Sequence, residues 1–326
     1  MAFSYNFVVF GAKDDFYKVS YRNVNKTPCT RYISENIDTD NKILNSLYKM
    51  HCSKTANKIV RLPFKSLWNK HYFKKQFEKD APICFLFFSN HVAKFEYGFD
   101  KYLRKKYPDC KLVVFYQDLI VGKKKTLFEK YRDRFDLILS FDQKDARDYG
   151  LVYYPLVYTP EELETEGELP KSDVFFVGKA KNRLSEILTA YEKLSEAGLM
   201  CDFHIVGVPE AERKYEDKIN YCSQMSYVEN IKHIKATSCL LEIMQQGGHG
   251  YTLRACEAIA YGKRMITNNP EIMGAPFYRP ELISVFENPE DIDAEFVKNG
   301  EFSVDYNYKE ELSPLKMLEF IEKKLN

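Results

Sequence analysis

The sequence predicts an α/β protein with two doubly wound parallel sheets. Three observations carry that expectation. Short apolar runs alternate with longer stretches of helical periodicity along nearly the whole chain, the pattern of parallel strands covered by helices on both faces. Between Tyr154 and Ser172 the alternation breaks at Pro155, Pro160 and Pro170, which bracket Glu161, Glu162, Glu164, Glu166 and Glu168. The length of 326 residues suits two domains of about 150 residues each.

Taken in order, the expected strands are Phe7 to Phe10, Ile83 to Phe88, Leu112 to Tyr116, Leu137 to Leu139, Val152 to Tyr154, Val174 to Val177, Phe203 to Val206, Leu240 to Met244 and Met265 to Thr267. Each is a bounded apolar run of buried-strand length. Helical periodicity places helices near 40–57, 93–107, 124–132, 143–149, 183–197, 227–236 and 251–261. Prolines remove backbone donors and a run of like charges resists packing, so 159–172 reads as a linker between domains at 1–158 and 173–326. In open α/β sheets ligands bind beyond the carboxyl ends of the strands, so two such domains are expected to face a cleft.

Hydrophobic residues make up 45% and aromatics 15% of the chain, enough to exclude a disordered protein. The 48 Lys plus Arg against 47 Asp plus Glu argue against a nucleic-acid coat. Split at the linker, the balance becomes 29 cations against 17 acids in residues 1–160 and 19 against 30 in the remainder. A basic half with clusters at Lys101, Arg104, Lys105 and Lys106 and at Lys123, Lys124 and Lys125 points to an anionic partner. No apolar run reaches the roughly 18 to 20 residues of a spanning helix. The start, Met-Ala-Phe-Ser-Tyr-Asn, has no basic n-region or small-residue cleavage site, and eight singly spaced cysteines form no Cys-x-x-Cys pair. A reducing cytoplasm without a structural metal is the expectation.

The richest segment is LLEIMQQGGHGYTLRACEAIAYGKRMITNN, Leu240 to Asn269. A buried strand feeds Gly247, Gly248, His249 and Gly250, and a helix opens near Thr252. Glycines allow a ligand to approach the backbone, and the amides at a helix start suit a phosphate. Glu257 falls within two turns of that start, where a carboxylate can accept from a ribose diol.

This segment resembles the donor signature of GT-B glycosyltransferases, especially retaining families with Glu-Gly-Phe-Gly-Leu-x-x-x-Glu-Ala. The matching residues are His249, Gly250, Tyr251, Thr252, Leu253 and Glu257-Ala258, followed by Tyr261-Gly262-Lys263. The resemblance implies a GT-B fold of two Rossmann-like domains, with Glu257 on the nucleotide ribose and the amides of Tyr251 to Leu253 on the donor pyrophosphate. His249 replaces the first glutamate of the pair, and Thr252 a glycine, so retention of anomeric configuration does not carry over. Val177-Gly178-Lys179 through Arg183 is similar to the family's Val-Gly-Arg strand end, which implies Lys179 and Arg183 as pyrophosphate ligands. In the basic half, Gly11 stands in the place of the first glycine loop, His91 where members often hold the donor sugar, and Asp118 in the place of a His-Asp pair. His91 and Asp118, with His249, are thereby candidates for sugar contact or proton transfer; each also reads as a cap or a satisfied polar side chain.

Asp38-Thr39-Asp40 and Asp291-Ile292-Asp293 spell the metal-binding Asp-x-Asp of the other large glycosyltransferase fold, yet each sits at a helix start where capping explains it. The same is true of Asp142 with Asp145. The expectation is therefore a metal-independent transferase with no cofactor, moving a sugar from a nucleotide-sugar to a saccharide acceptor in surface polysaccharide biosynthesis. Its basic half suggests a lipid-pyrophosphate-linked acceptor at an anionic membrane surface, with no nucleic acid as partner. A last helix returning to the first domain is also expected. A sugar-nucleotide binding protein without turnover, or a polyol-phosphate transferase of the teichoic acid type, would carry similar features.

Overall fold

The computed structural model describes residues 3–34, 36–53, 55–59, 62–74, 77, 80–160, 162–245 and 250–326. The chain divides into two compact units, Met1–Tyr154 with Pro314–Asn326, and Pro155–Ser313. Each unit holds one six-stranded sheet, and every strand pairing is parallel.

In the first unit the strands are β1 (Asn6–Phe10), β2 (Thr30–Ile33), β3 (Ile83–Phe88), β4 (Lys111–Tyr116), β5 (Leu137–Ser140) and β6 (Val152–Tyr153), in spatial order β2-β1-β3-β4-β5-β6. All residues of β1 and β3 are buried, as unbroken apolar runs require when both sheet faces are covered. Phe10 stacks on Phe87 with ring centroids 4.9 Å apart, and Phe99 meets Phe10 edge-on, so the phenylalanine-rich strands make an aromatic core. The closing helix, Pro314–Leu325, buries Met317, Leu318 and Ile321, sets Phe320 4.9 Å from Tyr154, and accepts from Ser4 through Glu322 at 2.6 Å.

The second unit has β7 (Ser172–Lys179), β8 (Cys201–Val206), β9 (Asn220–Cys222), β10 (Thr237–Glu242), β11 (Arg264–Thr267) and β12 (Ile283–Val285), ordered β12-β11-β10-β7-β8-β9. This is the doubly wound order in which the winding reverses between the first and fourth strands of the unit, here β7 and β10. The stretch read as a linker, 159–172, belongs to this unit: Thr159 is buried, Lys235 donates to the Leu163 carbonyl at 2.9 Å, and β7 begins at Ser172.

Three strands, β2, β9 and β12, were not expected from the sequence. All lie at sheet edges, where one-sided pairing supports short segments of mixed polarity such as Asn-Tyr-Cys. β10 ends at Glu242 rather than Met244, because Arg183 takes the Ile243 carbonyl and the Asn268 side chain takes the Met244 amide at 2.6 Å. The helix expected near 93–107 is a 3₁₀ segment and an α-helix, parted at Gly98, whose φ of 72° only glycine adopts readily. All eight cysteines are free, and no helix among the described residues is long and apolar enough to cross a membrane.

Candidate functional site

The winding of the sheet reverses between β7 and β10, the place where open α/β sheets form a crevice beyond the carboxyl ends of the strands. β7 ends in Val177-Gly178-Lys179, and the helix Leu184–Glu196 starts after Arg183. Arg183 folds back across the strand ends: it donates to the Ile243 carbonyl and, through Nε at 3.3 Å, to the Lys179 carbonyl. A Cβ at position 178 would lie 2.9 Å from its Nη2, so Gly178 makes the room that the guanidinium fills. Burial moves the Arg183 pKa down from its usual value, yet an arginine stays cationic at neutral pH.

A second guanidinium reaches the same strand end. Arg254, in the first turn of the helix Leu253–Tyr261, donates to the Val177 carbonyl at 3.2 Å and lies over the Phe175 ring, 5.6 Å from its centroid. Lys181 completes the group by donating to Gln245 Oε1 at 2.7 Å. Arg254 was not among the residues inferred from the sequence; its signal was a cation at the fourth position after Gly250, in a helix start that follows a buried strand.

Thr252 caps that helix, its hydroxyl accepting from the Arg254 amide at 3.0 Å and donating to Glu242. Glu242, the last residue of β10, also accepts from Thr267 at 2.6 Å. Burial raises its pKa, opposed by those two hydroxyls and by Arg254 and Arg183. Gly250, with φ 98°, is pinned from the other side, its amide donating to Glu271 at 2.7 Å and its carbonyl accepting from Asn269 at 2.9 Å. Thr252 is thus the joint between loop, helix and strand end.

Glu257 faces inward at 1% exposure. Its Oε1 accepts from the Tyr227 hydroxyl and from Asn230 Nδ2, both at 2.9 Å, and Oε2 is ion-paired with Arg254 Nη1 at 2.7 Å. The carboxylate therefore holds three side chains together. Tyr251 packs its ring on Phe277 at 5.1 Å, leaving only its backbone for the crevice. Lys179 is exposed and Leu253 half-buried. Of the residues inferred from the sequence, Arg183, Gly250, Thr252, Leu253 and Glu257 thus gather around the β10 end and the helix it leads into, while His249 lies outside the described residues.

The candidates in the first unit divide. His91 and Gly11 meet, with His91 Nε2 2.5 Å from the Gly11 carbonyl, so Nε2 carries the proton. His91 is buried, and burial, helped by the nearby Lys94 charge, pushes its pKa down to about 3. The neutral imidazole, donating to the Gly11 carbonyl, supports the end of β1. The space at Gly11 is filled by the chain itself, since a Cβ there would overlap the Tyr32 ring, whose hydroxyl donates to the Ala12 carbonyl at 2.8 Å. Asp118 is largely exposed and ion-paired to Lys124 at 2.5 Å.

The acidic strings resolve individually. Asp293 caps Ala294–Lys298, Asp291 forms a capping box with Asn288, and Asp142 caps Gln143–Tyr149. Asp38 does not cap: Asn41 takes that role for Lys42–His51, and Asp38 instead accepts from Arg31 at 2.6 Å and the Lys74 amide at 2.8 Å. One group among the described residues has ligand atoms close enough for a cation, Asp202, His204 and His233, all within 4.8 Å of one another. The Asp202 carboxylate bridges His204 Nε2 at 2.8 Å and His233 Nδ1 at 2.6 Å. Burial raises the Asp202 pKa, but the two imidazoles outweigh it and hold the group at about 2.

No protein-family model matches the sequence, and no curated protein matches it. Solved structures do. A UDP-forming α,α-trehalose-phosphate synthase from Burkholderia xenovorans aligns over 98% of this chain and 98% of its own, at 11% identity and a TM-score of 0.55. An α-glucosyltransferase solved with UDP-glucose and abasic DNA aligns over 98% and 93% at 10% identity and a TM-score of 0.48. A sucrose-phosphate synthase from Thermosynechococcus elongatus aligns over 97% and 88% at 13% identity and 0.44. The first of these, with the two parallel sheets, places the chain in the GT-B fold class.

Proposed function

We propose that the protein is a glycosyltransferase whose second unit binds a nucleotide-sugar at the β7/β10 crevice. The observation that carries this is the convergence of Arg183, Arg254 and Lys181 on the strand ends beside the Thr252-capped helix start. A nucleoside diphosphate leaving group gathers negative charge as the glycosidic bond breaks. Fixed guanidinium groups and helix amides stabilise that charge without reorganisation. In this reading Arg183 and Arg254 neutralise the departing pyrophosphate, which makes a catalytic metal unnecessary. Glu257 acts at one remove, by holding Arg254, Tyr227 and Asn230 in place.

The reaction would move a sugar to a saccharide or lipid-linked glycan acceptor in surface polysaccharide assembly. Support for an anionic acceptor comes from the 29 cations against 17 acids in residues 1–160, which favour a pyrophosphate-linked glycan at the inner face of a cell membrane. The test is nucleotide release from a panel of sugar nucleotides, with and without lipid-linked acceptors. Turnover of one donor, lost in Arg183→Ala, supports the reading. Tight nucleotide binding without any release would make the protein a sugar-nucleotide binding module instead.

A further inference from the structure

Residues 41–77 contain eight lysines and one arginine but no aspartate or glutamate. Among the described residues eleven large hydrophobic side chains are exposed, and five of them fall in this stretch: Ile43 at 73%, Leu47 at 47%, Met50 at 63%, Phe64 at 73% and Leu67 at 65%. Ile43, Leu47 and Met50 sit at i, i+4 and i+7 of the helix Lys42–His51, which places them on one stripe. The adjoining stripe is also apolar, and it is the one that packs inward. Leu44 packs on the core of the first unit, and the Tyr48 ring lies 5.2 Å from Trp68 and 6.0 Å from Tyr72. The apolar arc of this helix is therefore wider than the core covers, and its outer half, Ile43, Leu47 and Met50, stands in solvent.

His51 fastens the following loop to this helix. Its Nε2 donates to the Pro63 carbonyl at 2.8 Å, and its Nδ1 accepts from Trp68 at 2.8 Å. Phe64 and Leu67 are thereby held beside the helix end as part of one built surface, and Lys42, Lys49, Lys58 and Lys70 are exposed around it.

We propose that this face is where the protein lies on an anionic lipid bilayer. The five apolar side chains enter the interfacial region, while the lysine stems follow them with the ammonium groups at headgroup level. Aliphatic and phenyl tips have no group to pair with a base or a phosphate, whereas a bilayer offers hydrocarbon and negative charge together. The inference deepens the membrane part of the proposed function and is independent of the donor site, which lies in the other unit.

The experiment is co-sedimentation with vesicles of phosphatidylcholine alone or with about 30% phosphatidylglycerol, at low and physiological salt. The full chain is expected to bind the anionic vesicles at least about tenfold more tightly, with salt weakening but not abolishing the binding. Ile43→Asn with Met50→Gln, both at exposed positions and checked by thermal melts, should lower binding about tenfold or more. Lys42→Glu with Lys49→Glu should remove most of the salt-sensitive part. The proposal is overturned by any of three results: binding that ignores the apolar pair, no binding at all, or an apolar variant that only converts a dimer to a monomer. Arg183→Ala should leave vesicle binding unchanged, so failure of the donor site and failure of this surface are told apart.

Discussion

Glu257→Gln tests the internal frame of the site most sharply. The substitution keeps the shape of a side chain that is 1% exposed and leaves an oxygen to accept from Tyr227 and Asn230. It removes the charge that faces Arg254 Nη1 at 2.7 Å and can set an amide N–H₂ against the guanidinium. The Arg254 side chain is only 12% exposed, so its charge has little access to water. Removing one member of a buried pair costs about 3–5 kcal/mol. In a domain of this size each kcal/mol shifts the melting temperature by about 2–4 °C, so the second unit should melt about 10 °C lower. Calorimetry of wild type, Glu257→Gln, Arg254→Met and the double variant measures this. The double variant should be clearly more stable than the sum of the two singles implies, because it removes both charges together. If Glu257 instead waits in solvent for a ribose, Glu257→Gln will melt within about 1 °C of wild type and lose only nucleotide affinity. That result would refute the buried-anchor role.

Two further outcomes follow from the first unit. His91 is held neutral with a pKa of about 3, well below its unfolded value of about 6.5. Since the unfolded chain takes up the proton first, this contribution is present above about pH 6.5 and is lost as the pH falls toward 3, by about 2 kcal/mol at pH 5. Urea midpoints at pH 7 and pH 5 should show that loss, and His91→Gln should flatten it; an unchanged slope would remove His91 as its source. Gly11→Ala would drive a methyl into the Tyr32 ring and should cost about 1–3 kcal/mol. Gly11→Ala combined with Tyr32→Leu should recover part of that loss in the same denaturation assay. No recovery would mean that the glycine serves something other than Tyr32.

The two-sheet architecture was legible because its central strands are continuous apolar runs: β1, β3 and β4 are buried on both faces and read as such. The edge strands were not legible, since Asn-Tyr-Cys in β9 owes its conformation to pairing with β8 and not to any pattern of its own. In the site, Arg183 and Thr252 could be found because each opens a helix that follows a buried strand and a glycine. Arg254 and Glu242 could not, because a cation in a helix and an acid at the end of an apolar strand look like solvated positions until the fold turns both into the crevice. His91 shows the converse case. Its place after a buried strand suggested chemistry, while the bond it makes to Gly11 spans 80 residues of sequence and left no local signal. The Asp202, His204 and His233 trio escaped for the same reason, its members coming from a strand and a distant helix.

The central claim is that the crevice between β7 and β10 receives the diphosphate of a nucleotide-sugar. Hydrogen exchange with and without a panel of nucleoside diphosphates tests it most directly. The account predicts that at least one nucleotide slows exchange at 178–183 and 250–256, and that Arg183→Ala abolishes the effect. Protection elsewhere with these segments unchanged, or no protection by any nucleotide, would contradict it.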